Sequence, residues 1–143
     1  HRHHVLIVDD SPTARALLSS RLKRYNFRVC TAENGAKALE ILKKNSDIGL
    51  VITDYNMPDI DGFELTRRIR SVRGSHELRI IGVSSSSDRH LSARFLKAGG
   101  NDFMLRPFID EEFYCRVNQN LDTLLQIRSM RSAQGSNDVK NVA

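Results

Sequence analysis

The chain has no tryptophan, only two cysteines and three prolines, and aromatics make up 6% of its 143 residues. Cys30 and Cys115 form no C-x-x-C pair and have no Cys/His spacing suited to zinc, which excludes a thiolate metal site and a disulfide framework. Each reads as a buried free thiol in a reducing compartment. No apolar run approaches the ~20 residues needed to span a bilayer, and the first residues lack the apolar stretch of a secretory signal. The expectation is a cytoplasmic protein with no membrane partner. The formal net charge of +5 raises nucleic acid as a ligand, but much of the excess lies in Arg67, Arg68, Arg70, Arg73 and Arg79. No aromatics are interleaved there for base stacking and no recognition helix is evident, so a solvated basic face is expected and direct nucleic-acid binding is not. His1, His3 and His4 read as a tag remnant or a native start that precedes any fixed structure.

What is present is a pattern. At 143 residues, 40% hydrophobic and 27% charged, the chain suits one globular domain with a real core. Residues 5–8 are a continuous apolar run, as a strand covered on both faces would be. Ser11 and Pro12 then open a helix with Ala14, Leu17, Leu18, Leu22 and Tyr25 on one face. Residues 27–31 alternate as a more exposed strand. Asn34 caps a second helix with Ala38, Leu39 and Leu42 inward, ended by Asn45 and Ser46. Residues 48–52 are a β-branched run, and Phe63, Leu65, Ile69 and Val72 mark a third helix, broken at Gly74. A fourth strand over 78–83 ends at Ser84, and a fourth helix carries Leu91, Phe95 and Leu96 up to Gly99-Gly100. A fifth strand over 102–105 leads to Arg106-Pro107. The last helix, from near Asp110 to about Met130, buries Phe113, Val117, Leu121 and Leu124. From Ser132 the composition turns polar and aperiodic. The division is therefore a domain over 1–130 and a flexible linker or tail over 131–143.

Two of these strands end in acids: 5–8 runs into Asp9-Asp10, and 48–52 into Thr53-Asp54. In open α/β sheets ligands bind beyond the carboxyl ends of the strands. Carboxylates crowded there repel one another unless a metal neutralises them, so a shared cation site is expected.

Asp9-Asp10, Asp54 with Met57-Pro58 and Asp61-Gly62, Ser84, and Arg106-Pro107 stand in the order and spacing of the receiver domain of two-component response regulators. Residues 5–125 resemble that family. One position departs: the family has lysine before the last proline, where this chain has Arg106. The resemblance implies an α/β, flavodoxin-like, doubly wound sheet of five parallel strands in the order 2-1-3-4-5 with five helices. It also implies that Asp54 accepts a phosphoryl group from a sensor histidine kinase, a phosphotransfer protein or a small acyl phosphate. Mg²⁺ would be held directly by Asp10 and Asp54 and by the backbone carbonyl of Asn56, with Asp9 acting mainly through water. Ser84 would donate its hydroxyl to the phosphoryl oxygens. Ser84 and Phe103 would form the switch that reshapes the face of the fourth helix, fifth strand and fifth helix. That face would be the output surface and a candidate homodimer surface. Asn101-Asp102-Phe103, Glu111-Glu112-Phe113, Arg116-Val117 and Asn120-Leu121 look similar to receivers that precede diguanylate-cyclase output domains.

Arg106 keeps an alternative open. A planar guanidinium could grip a phosphate bidentately, or could pair with Asp54 and hold it from the donor. The alternative is a degenerate receiver acting as a phosphorylation-independent interaction or dimerisation module. Neither reading is an enzyme with turnover on a free substrate. A Mg²⁺-dependent phosphatase on a similar sheet needs a second acid two residues after the nucleophile, and Asn56 stands there.

Overall fold

The computed structural model describes the backbone of residues 3–142 and the side chains of residues 3–133. His1, Arg2 and Ala143 lie outside the described residues. Three apolar runs buried on both faces, β1 (His4–Val8), β3 (Ile48–Asp54) and β4 (Arg79–Ser84), form one parallel sheet with the more exposed β2 (Arg28–Ala32) and β5 (Asp102–Leu105) at its edges. Its order is β2-β1-β3-β4-β5, the expected one. Strand alternation sends side chains into two cores. Val5, Ile7, Leu50, Ile52, Ile81 and Val83 pack against α1 (Pro12–Arg24) and α5 (Asp110–Val142). Leu6, Val8, Val51 and Ile80 pack against α2 (Gly35–Lys44), α3 (Gly62–Arg70) and α4 (Arg89–Lys97). The outer strand β2 is the more exposed one, as its alternation predicts.

The caps follow from the sequence. Ser11 Oγ accepts from the Ala14 N–H at 3.3 Å, Asn34 Oδ1 from Lys37 at 2.8 Å and Asp61 Oδ1 from Glu64 at 2.8 Å. Each satisfies a donor that a helix start leaves without an intrahelical partner. Among the described residues no helix is long and apolar enough to cross a membrane.

Several expectations need correction. Leu17 and Tyr25 are exposed, because Leu18 and Leu22 take the sheet-facing stripe of α1 and the other two fall on its flank. Val72 lies beyond the end of α3, and Leu96 sits on the outer face of α4; both are exposed. Cys115 is exposed on α5 and Cys30 only half-buried, so the thiols are not core groups. His4 is no loose terminal residue: it begins β1, is buried, and its Nδ1 lies 3.0 Å from Asp47 Oδ2. The last helix does not stop near Met130 but continues to Val142. No proline and a single glycine, Gly135, interrupt that segment, so nothing local ends the helix where the sheet stops needing cover.

The basic run also divides. Arg67 and Arg68 are exposed and pair with Glu64. Arg70 instead turns inward: its Nε donates to the Gly99 carbonyl at 2.8 Å, Nη1 to Leu78 at 2.7 Å and Arg73 at 3.2 Å, and Nη2 to Asn101 Oδ1 at 2.6 Å. Burial, with Arg79 and Arg73 nearby, lowers its pKa to about 10. Asn101 completes the joint by accepting the Ile80 N–H at 2.8 Å. The end of α3 is thereby tied to the starts of β4 and β5. Arg70→Ala leaves several half-buried carbonyls without their donor and should cost about 3 kcal/mol in urea unfolding, whereas Arg67→Ala should stay within about 0.5 kcal/mol.

Candidate functional site

The register of the two central strands builds the site. Val8 of β1 pairs with Thr53 of β3, so the next residue on each strand is an acid. Asp9, Asp10 and Asp54 each place a carboxylate oxygen within 4.8 Å of the others. Asp54 pairs with Val83 on β4, and Ser84 of β4 pairs with Leu105 on β5. Ser84 and Arg106 therefore leave the same sheet edge beside the acids.

Asp9 is the buried member, 1% exposed. Its Oδ1 accepts the Ser11 N–H at 2.9 Å, its Oδ2 accepts Arg106 Nη2 at 2.8 Å, and its carbonyl accepts Arg15 Nη1 at 2.7 Å. Arg106 Nη1 stands 3.9 Å from Asp54 Oδ1. The guanidinium thus pairs first with Asp9 and only leans toward Asp54. Asp10 is exposed.

Asp54 titrates well above an ordinary carboxylate, at about 6. Burial is the main cause, with the negative charge of Asp9 next and that of Asp10 adding to it; Arg106 and the Asn56 backbone N–H pull the other way. Oxygen donors delivered from two strands to one open edge suit a small hard dication that keeps several waters, so the residues present fit Mg²⁺.

Ser84 is fully buried. Its Oγ accepts the Ser86 N–H at 3.1 Å, a turn bond, and lies 3.4 Å from Asn56 Nδ2. The backbone turn beyond β3 is tight: a Cβ on Gly62 would stand 2.8 Å from Tyr55 Cα and 2.9 Å from the Asp54 carbonyl oxygen, so only glycine fits. Asp59 in that loop has φ of 67°, a left-handed value that a short polar side chain tolerates. Phe103 is half-buried, edge-on to Tyr55 at 6.1 Å and 5.6 Å from Phe95. Below it a Cβ on Gly82 would reach Phe95 Cζ at 2.9 Å and Phe103 Cδ2 at 3.0 Å. The Tyr55 hydroxyl in this cluster is buried with no hydrogen-bond partner among the described residues.

Arg15, the Ser11 N–H and the Ser86 N–H are site residues that sequence reasoning missed. Ser11 was legible only as a cap, Arg15 resembles any solvated helical arginine, and Ser86 is one of four consecutive serines. The Arg106-Pro107 peptide is cis.

A family model for the response regulator receiver domain matches residues 5–118. The chain belongs to that family. This receiver domain is 36% identical over 104 residues to the two-component response regulator ORR3 of Oryza sativa subsp. indica, covering 73% of this chain and 79% of that one. It is 36% identical over 120 residues to a chemotaxis protein CheY homolog of Campylobacter jejuni, covering 83% and 92%. A crystal structure of a two-component system response regulator/GGDEF domain protein superposes with a TM-score of 0.83 at 44% identity, over 86% of this chain. The receiver domain spans about half of that protein, 50% of its length.

The crowding has a pH signature. The folded state holds the Asp54 proton more tightly than the unfolded chain, whose value is near 3.8, so this group's stabilisation is complete below about 3.8 and is lost as pH rises through about 6. Without divalent cations, the urea midpoint of the parent relative to Asp54→Asn should fall between pH 4 and pH 7, and saturating MgCl₂ should remove most of that difference at pH 7.

Proposed function

We propose that Asp54 is the phosphoacceptor of a two-component signalling switch. The observation that carries the reading is the meeting of Asp9, Asp10 and Asp54 within 4.8 Å at a sheet edge shared with Ser84 and Arg106. An Asp54 carboxylate oxygen attacks the phosphorus of a kinase or phosphotransfer-protein phosphohistidine, or of an acyl phosphate. The new P–O bond forms as the bond to the donor breaks, giving an aspartyl phosphate. A Mg²⁺ held by Asp10, Asp54 and the Asn56 carbonyl, with Asp9 through water, would neutralise the phosphoryl oxygens. Arg106 offers paired donors to the same oxygens, and the Ser84 hydroxyl, once turned from Ser86, offers another.

The output follows from position. Phe103 and Ser84 border the α4-β5-α5 face, where Leu96 and Leu105 are exposed and available for pairing with a second copy or a downstream protein. α5 continues to Val142, and we assign residues 131–143 to the connection toward an output domain. The response regulator/GGDEF relative supports a diguanylate cyclase there. Turnover on a free phosphate ester is not expected, because Asn56 supplies an amide where a general acid would be needed. The setting is cytoplasmic signalling.

A second reading, a phosphorylation-independent interaction module, is favoured by one observation alone: Arg106 stands in place of lysine and is already engaged by Asp9. Mass spectrometry after treatment with acetyl phosphate and MgCl₂ separates the two. A hydroxylamine-sensitive phosphoryl adduct, lost in Asp54→Asn and at least tenfold reduced by EDTA, is expected. An unmodified parent protein, with partner binding unchanged in Asp54→Asn, would establish the second reading.

A further inference from the structure

Beside the Arg70 joint, at the opposite end of β3 from Asp54, a cavity of about 580 Å³ opens between the α3–β4 loop and α5. Arg73, His76, Glu77, Arg128 and Arg131 are on its wall. Arg73 is mostly buried, its side chain 15% exposed. Its Nη2 donates to the Ser46 carbonyl at 3.2 Å and to that of Ile48, the first residue of β3, at 2.9 Å. These bonds hold the guanidinium in place, yet its Nη1 is buried with no hydrogen-bond partner among the described residues. Burial lowers the pKa of Arg73 and the charge of Arg128 adds to this, while Glu77 and Asp47 oppose it. A buried cation paired this weakly is costly, and an anion brought near it relieves the cost.

Glu77 is the one acid on the wall among the described residues, and it is already shared. Its Oε1 lies 3.2 Å from His76 Nε2 and its Oε2 3.8 Å from Arg73 Nε. Arg128 donates its Nη2 to the Glu77 carbonyl at 2.9 Å, which brings the end of α5 to this loop. Neither Arg128 nor Arg131 has a carboxylate partner among the described residues, and both are exposed. With His76 neutral, three arginines against one glutamate leave the wall with a net charge of +2.

We propose that this cavity binds the phosphate of a small phosphate ester, with Arg128 and Arg131 donating to its oxygens and the buried charge of Arg73 favouring the dianion. A phosphate dianion matches the charge left over, and guanidinium forks match its oxygens. The volume falls in the range of small-molecule sites and exceeds what a bare phosphate fills. Leu42 on the same wall gives an organic group an apolar contact. Bound there, the ligand ties the α3–β4 loop to α5 shortly before that helix continues to Val142. The site does not depend on the chemistry at Asp54.

The test follows the backbone amide signals of the full chain by NMR, in EDTA and at constant ionic strength, during titration with AMP, inorganic phosphate and adenosine. AMP and phosphate should give saturable shifts at residues 73–77 and 128–132, with AMP at least fivefold tighter, and adenosine should give none. Arg128→Ala combined with Arg131→Ala should weaken AMP binding at least tenfold at an unchanged melting temperature, since both side chains are exposed. Glu77→Gln should tighten it several-fold, and Arg67→Ala should leave it unchanged. Phosphate binding as tight as that of AMP overturns the ester and assigns the site to the free anion. Shifts that never saturate, that persist in the double variant, or that fall at residues 54 and 84 instead overturn the site itself.

Discussion

Repulsion among three carboxylates at one edge of the sheet is the constraint on which the rest of the structure depends. The β1–β3 register makes that crowding unavoidable, since the residues after the paired Val8 and Thr53 are acids. Its cost shows in Asp54, whose acid is pushed up to about 6 by burial and by Asp9. A fold can carry such a local penalty only when the remainder is well satisfied. The central strands supply this with side chains that are fully buried in two separate cores, one under α1 and α5, the other under α2, α3 and α4.

The sheet's two ends are built on opposite principles. At the amino end of β4 and β5, Arg70 and Asn101 convert what looks like a basic surface into a joint in which one guanidinium satisfies carbonyls from three segments. Every bond there favours one arrangement. At the carboxyl end, Arg106 satisfies Asp9 fully and Asp54 barely, so the acids remain short of positive charge. The well-satisfied end holds the strands in register; the under-neutralised end is where a cation or a phosphoryl group changes the balance.

Much of this was legible from residue order. The strand–helix alternation, the caps at Ser11 and Asn34, and the 2-1-3-4-5 order appear as expected. Asp9, Asp10 and Asp54 meet because a parallel sheet delivers all strand ends to one edge, a rule that needs no side-chain detail. What escaped depended on direction. Whether Leu17 or Leu18 faces the core is a matter of one helical step, and whether Arg106 reaches Asp9 or Asp54 is a matter of about an ångström. Arg70 was misread because composition counts charge and cannot see acceptors contributed by residues about 30 positions away, such as Gly99 and Asn101. His4 was misread because a histidine-rich start resembles a tag, and its partner Asp47 is distant in sequence.

The same segment that carries Asp54 also fills the corner between α4 and β5. Tyr55 follows the acid directly, donates its N–H to the Val83 carbonyl at 2.8 Å, and sets its ring against Phe95 and Phe103. Gly82 and Gly100 leave that corner no slack, since a Cβ on Gly100 would fall 2.1 Å from Phe95. Interiors packed this closely pass a displacement on to the next side chain instead of absorbing it. Within the corner the Tyr55 hydroxyl is buried with no hydrogen-bond partner among the described residues, and a polar group desolvated unpaired costs about 1–3 kcal/mol. A corner that is tight in volume yet unsatisfied in hydrogen bonding has a reason to rearrange and little freedom in how. The strand end that bears the charge and the surface that could report it are thus joined by adjacent residues of a single chain segment.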